Sequence, residues 1–374
     1  METMLHINDI PRKRQSAVVL GMAMQRMQQG LYTPERLKTI VSGLQQYEIA
    51  PRTNDLVKAD TIQSFGNSRL LSYRSGASGL PIFITPSIIN SARVFDLTKE
   101  RSFIRYLLED TDSPVYLLDW GDLGTDKDAS SLEKLIIERL LPALETVQQK
   151  YKTPPALLGY CLGGLLTTAA VNLAPHLARA LIYLATPWNF NDRDDNTAKR
   201  ARIYRQSILP TLKTADIMPS SSLYSFFAHL PGSHTPEKFE GFEMLLPNSP
   251  ERDIFIAVED WAQEGTDIPS QLLDEMLSSF YELNEPHNNA WHIAGKLVTP
   301  QQITLPSLHI TPLKDRIISC GSAQALHTII GGEKDLLSPP CGHVGIMAGH
   351  AARTHTWHEI GAFLVRCKTA APLP

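Results

Sequence analysis

Residues 157 to 166 read Leu-Leu-Gly-Tyr-Cys-Leu-Gly-Gly-Leu-Leu, and no other stretch restricts the fold as strongly. An apolar run ending in Gly-x-Cys-x-Gly-Gly predicts a strand that passes into a helix through a very tight turn. Glycines must flank such a turn, and it lifts the Cys161 side chain clear of the sheet. Its surroundings agree, because Pro155-Ala156-Leu157-Leu158 is strand-like and residues 165–173 read as a helix. A lone cysteine is more often a small buried hydrophobe; in this setting Cys161 reads as a nucleophile. The unpaired amides and positive end of the following helix face the sulfur and favour thiolate, and the Leu162 N–H is placed to hold an oxyanion.

A chain of 374 residues with 43% hydrophobic and 20% charged residues is an ordinary globular composition, better suited to one large domain with an insertion than to three small ones. The net charge of −4 gives no reason to expect nucleic acid as a partner. Four cysteines, at 161, 320, 341 and 367, are too few for a secreted disulfide scaffold, and a working thiolate suits a reducing compartment, so the cytoplasm is expected. Near the start, Arg12-Lys13-Arg14 followed by residues 17–24 imitates a signal peptide. A polar Arg26 follows with no convincing cleavage site, so a helix packing its apolar face is the preferred reading. The run is also shorter than the ~20 residues that span a bilayer, and no transmembrane segment is expected.

Residues 1–65 hold two helical stretches, 13–29 and 34–48, and read as an N-terminal appendage. Strands are expected at 70–74 and 81–85 around a turn at 75–79, and again at 115–119, 155–158, 180–185 and 306–310, with a short one at 334–337. Helical spacing at 99–109, 131–150, 321–330 and 353–366 separates them. Such alternation demands crossovers and hence a mainly parallel sheet with helices on both faces, an α/β architecture. The pattern lapses over roughly 188–290 and then resumes, as though interrupted. A lid inserted into a core of 66–187 and 291–374 is preferred over a second independent domain.

Three chemically able residues fall just beyond late strands. Asp315 follows the strand at 306–310, and His343, set between Gly342 and Gly345, follows the strand at 334–337. Nucleophile, acid, base is the chain order of α/β-hydrolases. Pro86-Ser87-Ile88-Ile89-Asn90 sits where such enzymes keep a second oxyanion amide, near Ile89; the alternative is an ordinary strand-to-helix loop. His343 would take the Cys161 proton, Asp315 would orient the imidazole, and the thiolate would attack an acyl carbonyl. Thiolates exchange with thioesters at little thermodynamic cost, which favours a CoA thioester over an amide. His350, His355 and His358 lack zinc-ligand geometry, and no metal is expected. Cys320 and Cys341 are read as packing residues.

From about residue 68 to 366 the sequence resembles the polyhydroxyalkanoate synthase family. The likeness is carried by Ile84-Thr85-Pro86-Ser87-Ile88-Ile89-Asn90, Phe95-Asp96-Leu97, Arg101-Ser102-Phe103, Asp119-Trp120 and Gly159-Tyr160-Cys161-Leu162-Gly163-Gly164. It continues through Trp261, Gly265-Thr266-Asp267-Ile268-Pro269, Tyr281, Asn284, Asp315-Arg316-Ile317-Ile318 and Gly342-His343-Val344-Gly345. The resemblance implies an α/β-hydrolase fold and a short, synthase-like acyltransferase that passes 3-hydroxyacyl groups from CoA through acyl-Cys161 to a growing polyester. It also implies His343 as activator and Asp315 as an aid in deprotonating the 3-hydroxyl. Asn90, Tyr160 and Trp261, which stand in matching motifs, become expected substrate contacts. No cofactor is implied beyond the CoA thioester, which is substrate. The length is near that of short catalytic subunits, so a noncatalytic synthase subunit, a homodimer and attachment to the polyester granule are further expectations. The sequence departs from the pattern at Leu165, where many synthases have Thr, and at Arg316, where they usually have His. The competing activity with the same triad is a thioesterase or polyester hydrolase; a granule-surface scaffold is the alternative outside enzymes.

Overall fold

The computed structural model describes residues 13–52, 55–73, 79–230 and 233–369. Arg12 and most of the turn expected at 75–79 lie outside them. Eight strands form one sheet: β1 (Asp60–Phe65), β2 (Ser68–Tyr73), β3 (Ile82–Thr85), β4 (Val115–Asp119), β5 (Ala156–Tyr160), β6 (Ala180–Leu184), β7 (Ser307–Ile310) and β8 (Lys334–Leu337). Their spatial order is β1-β2-β4-β3-β5-β6-β7-β8. Only the β1–β2 hairpin and the β2–β4 pair are antiparallel; every other neighbour is parallel. Strands β3, β5, β6 and β7 are buried along their whole length, which is why most of them read as apolar runs, as sheets covered on both faces require; β7 buries Ser307 and His309 as well.

The helices bear out the 3.6-residue spacing. They are α1 (Lys13–Gln28), α2 (Pro34–Ile49), α3 (Phe103–Asp110), α4 (132–151, with one wide π turn at Ile136–Leu140) and α5 (Leu162–Leu173). The interval 188–290 is mainly helical: α6 (Asn196–Leu212), α7 (Ser220–Ala228), α8 (Glu237–Glu243), α9 (Pro250–Gln263) and α10 (Ser270–Met276) with a π turn after it. The chain closes with α11 (Cys320–Ile329) and α12 (His358–Thr369). No helix among the described residues is long and apolar enough to cross a membrane.

One feature departs from the sequence reading, and a second goes beyond it. The sheet begins earlier, at Asp60, because β1 pairs with β2 through the Gly66-Asn67 turn. Its residues are mostly exposed, so Asp-Thr-Ile-Gln-Ser-Phe carries no apolar run to announce a strand. The N-terminal helices, moreover, do not lie on the sheet. Val19, Ala23, Ile40, Leu44 and Tyr47 form a second apolar cluster with Phe239, Phe242 and Ile256 of the 188–290 interval. A Cβ on Gly43 would lie 2.0 Å from the Phe239 carbonyl oxygen, so α2 and α8 touch backbone to backbone. Around this seam Arg36 meets Glu240 at 2.9 Å, Arg52 meets Asp260 at 3.0 Å, and Arg26 pairs with Glu237.

The turn after β5 is also packed backbone against backbone. A Cβ on Gly163 would lie 2.1 Å from the carbonyl oxygen of Thr85, the last residue of β3. Backbone cannot yield as a flexible side chain can. We therefore expect Gly163→Ala to destabilise the protein by roughly 1–3 kcal/mol, the usual cost of overpacking. Gly241→Ala, with nothing within 4 Å, serves as the control and should melt at or above wild type. Equal thermal midpoints for Gly163→Ala and wild type would refute the packing account.

A second expectation concerns His309 on β7. Its ring lies 4.8 Å from Tyr183 and 4.9 Å from His327, and burial, helped by His327 and Lys334, pushes its pKa down to about 3. The unfolded chain titrates near the ordinary value of about 6.5. Between the two values the unfolded state binds a proton that the folded state refuses, so this contribution is complete above about pH 6.5 and is lost as pH falls below it. Denaturant midpoints measured between about pH 4.5 and 7 should rise with pH, with a slope shallower by up to one proton in His309→Phe. An unchanged slope would contradict the account.

Candidate active site

All three residues singled out in the sequence emerge at the carboxyl ends of sheet strands. Strand β3 lies between β4 and β5, so the connections leaving β3 and β5 diverge there and open a crevice. Cys161 sits in that crevice with φ 53° and ψ −124°, a strained backbone for a residue with a Cβ. Its N–H donates to the Leu184 carbonyl at 2.8 Å, which ties the turn to β6. Gly159 and Gly163 make the turn possible by letting α5 press against β5 and β3.

Asp315 leaves β7 in a short loop and accepts on one oxygen from the Ile317 and Ile318 amides, at 2.8 and 2.9 Å. Its other oxygen accepts from His343 Nδ1 at 2.7 Å. The loops carrying the two residues are laced together, Leu313 N–H donating to the Pro339 carbonyl and Lys314 N–H to that of Cys341, both at 2.9 Å. The side chains of Asp315 and His343 are only 1% and 7% exposed. With Nδ1 committed to Asp315, Nε2 is the ring nitrogen left to serve Cys161, which lines the same cavity. Burial alone would push the His343 pKa down. The Asp315 carboxylate, with Cys161 close by and the hydrogen bond to Asp315, outweighs it and raises the value to about 10. The sulfur therefore faces an imidazole that readily holds a proton.

The flanking groups vary in how directly they face the sulfur. Leu162 is the first residue of α5, so its amide has no carbonyl one turn back to bond. The Ile89 N–H points at Ser87 Oγ across a long 3.4 Å. Asn90 Nδ2 lies 3.5 Å from the carbonyl oxygens of Trp261 and Ala262, and Trp261 Nε1 donates to the Ser91 carbonyl at 2.8 Å. These two residues thus fasten the loop after β3 to α9, in addition to lining the crevice. Tyr160 is fully buried, packed 5.8 Å from Phe95 and 5.2 Å from His343 between ring centroids, and its hydroxyl has no hydrogen-bond partner among the described residues.

The crevice opens into a cavity of about 510 Å³. Cys161, His343, Ser87, Ile89, Asn90 and Tyr160 form its floor, and Leu223, Phe227, Leu230, Val258 and Trp261 of the 188–290 interval form its wall. Lys314 and Arg316, on either side of Asp315, also line it. Sequence reasoning missed Ser87 and the pair Lys238 and Glu259, which lie in the same wall. Charged residues on amphipathic helices read as solvent-facing, so no local signal marked them. A larger hollow of about 1010 Å³ lies beside the start of β7 and β8, lined by Lys152, Arg179, Lys334 and Arg366 among others. It is remote from the triad, and the smaller cavity is the one where chemistry can occur.

No protein-family model matches the chain. Among curated proteins it is 27% identical over 293 residues to the poly(3-hydroxyalkanoate) polymerase subunit PhaC of Allochromatium vinosum, covering 77% of this chain and 81% of that one. It is 24% identical to the PhaC subunit of Thiocystis violacea, covering 76% and 80%, and 23% identical to that of Synechocystis, covering 71% and 72%. Among solved structures it is similar to a monoacylglycerol lipase of Paleococcus ferrophilus (TM-score 0.50, 11% identity, 80% of this chain and 98% of that one). It is likewise similar to mouse alpha/beta hydrolase domain-containing protein 10 (TM-score 0.50, 14% identity, 83% and 99%). These structural likenesses establish the fold. The chain has an α/β-hydrolase fold, and its sequence is similar to those of the PhaC subunits of poly(3-hydroxyalkanoate) polymerase.

Proposed function

We propose that this protein is a cysteine-dependent acyltransferase that takes a 3-hydroxyacyl group from CoA onto Cys161 and passes it to the 3-hydroxyl end of a polyester. The observation that carries the reading is His343, hydrogen-bonded to the buried Asp315, lining the same largely apolar cavity as Cys161. In the first half-reaction His343 accepts the thiol proton and the thiolate attacks the thioester carbonyl. The developing oxyanion is held by the Leu162 amide, and by the Ile89 amide once that N–H turns from Ser87. Collapse breaks the bond to CoA sulfur, and the proton on His343 leaves with the CoA thiol. In the second half-reaction His343, held by Asp315, takes the proton of an incoming 3-hydroxyl, whose oxygen displaces Cys161 from the acyl carbon.

The apolar wall supports this reading, because it excludes water from the acyl-enzyme while admitting a chain that brings its own hydroxyl. Under it the protein draws acyl-CoA from the cytoplasm and works at the surface of the polymer it extends. Asp315 matters throughout, since it orients His343 and stabilises the imidazolium formed in each half.

Purified protein supplied with 3-hydroxybutyryl-CoA should release CoA and form polymer. Cys161→Ala and Asp315→Asn should each lose about 10³-fold or more in rate while folding as wild type does. CoA release without polymer would make water the acceptor and the protein a thioesterase. No CoA release from folded wild type would overturn the acyl-transfer reading.

A further inference from the structure

The wall of the cavity contains an ion pair that an alkyl chain has no use for. Lys238 Nζ of α8 and Glu259 Oε2 of α9 meet at 2.6 Å, with side chains 27% and 7% exposed. Both line the cavity that holds Cys161, beside Leu230 and Val258. Withdrawing the Glu259 carboxylate from water is costly, and replacing a largely buried pair by apolar residues is often neutral or stabilising. Helices α8 and α9 are already joined by Phe242 stacked on Phe255 at 4.6 Å and by Arg252 over the Phe242 ring at 4.1 Å. The pair is therefore poorly explained as glue between them.

Its chemistry points to a ligand. An ammonium carries three donors, and the contact to one carboxylate oxygen occupies one of them. Because Glu259 cancels the charge, the pair does not select an anion. It offers instead an oriented N–H in an apolar wall, suited to a neutral acceptor such as an ester carbonyl. Resting on the acyl-transfer reading above, we propose that Lys238, positioned by Glu259, is a specificity-determining residue that donates to an ester carbonyl of the chain seated in the cavity. The site then prefers an oligoester to an alkyl chain of the same length.

The test is equilibrium binding in the Cys161→Ala background, which cannot turn the ligand over. Ligands are the methyl-capped linear trimer of 3-hydroxybutyrate and a plain alkyl methyl ester of matched length, followed by calorimetry. The trimer should bind about tenfold tighter than the alkyl ester, the factor expected of one charge-assisted hydrogen bond. Lys238→Met with Glu259→Gln should abolish that preference while leaving alkyl-ester affinity unchanged, and Lys238→Arg should retain it. A merely structural pair would move both ligands together. Equal affinities before substitution, or a preference that survives the double substitution, would overturn the proposal, the first without requiring any further variant to fold. CoA release by wild type, measured in parallel, reports on acyl transfer alone. Its absence would count against that reading, whereas lost selectivity alongside normal CoA release would count only against the role of Lys238.

Discussion

The backbone of Cys161, held at φ 53°, is the constraint on which the site depends. Strain of this kind costs on the order of 1–3 kcal/mol and persists only where its surroundings over-determine it. Here they do so from three sides. Gly163 lies against the Thr85 carbonyl, Gly164 fits beneath Thr186, and the Cys161 amide is bonded to Leu184. The result is a sulfur raised to the head of a helix with its base already in place. Because the turn joins β5 to α5 at the centre of an eight-stranded sheet, every neighbour that could relax it is itself buried.

Around that fixed point the groups that complete the site come from separate loops, and they are tied together by their own hydrogen bonds. Asp315 is held by two backbone amides before it reaches His343, so its carboxylate is oriented by the loop that carries it. The amides of Leu313 and Lys314 then join that loop to the one bearing His343. On the opposite side Asn90 and Trp261 bind the loop after β3 to α9. The N-terminal helices pack against α8 and α9, the helices that carry part of the cavity wall. Movement of α8 relative to the sheet would have to carry α2 with it, since Gly43 brings the two backbones into contact.

How much of this could be read from the sequence follows from where each residue is buried. Strands such as Val115–Asp119 and Ala180–Leu184 are covered on both faces, so burial writes them as continuous apolar runs. Cys161, Asp315 and His343 were legible because each follows a strand or precedes a helix at a glycine-marked or loop position, and strand ends share one edge of a parallel sheet. The edge strand β1 left no such mark, because most of its side chains meet solvent. Nor does an amphipathic helix say what its apolar face will meet. The apolar sides of α1 and α2 were visible, but their docking on Phe239 and Phe242 is a long-range choice. Lys238 and Glu259 were hidden for a related reason, since charges in a helix read as solvent-facing until the cavity behind them is seen.

The central claim is that sulfur, imidazole and carboxylate act together to make Cys161 the acyl acceptor. It is tested most directly by mixing the protein with an equivalent of 3-hydroxybutyryl-CoA, quenching in acid and mapping the peptides by mass spectrometry. The account predicts a 3-hydroxybutyryl mass increment on the peptide containing Cys161, at much reduced occupancy in His343→Gln. An increment carried by Cys320, Cys341 or Cys367 in its place, or an unmodified Cys161 while CoA is released, would contradict it.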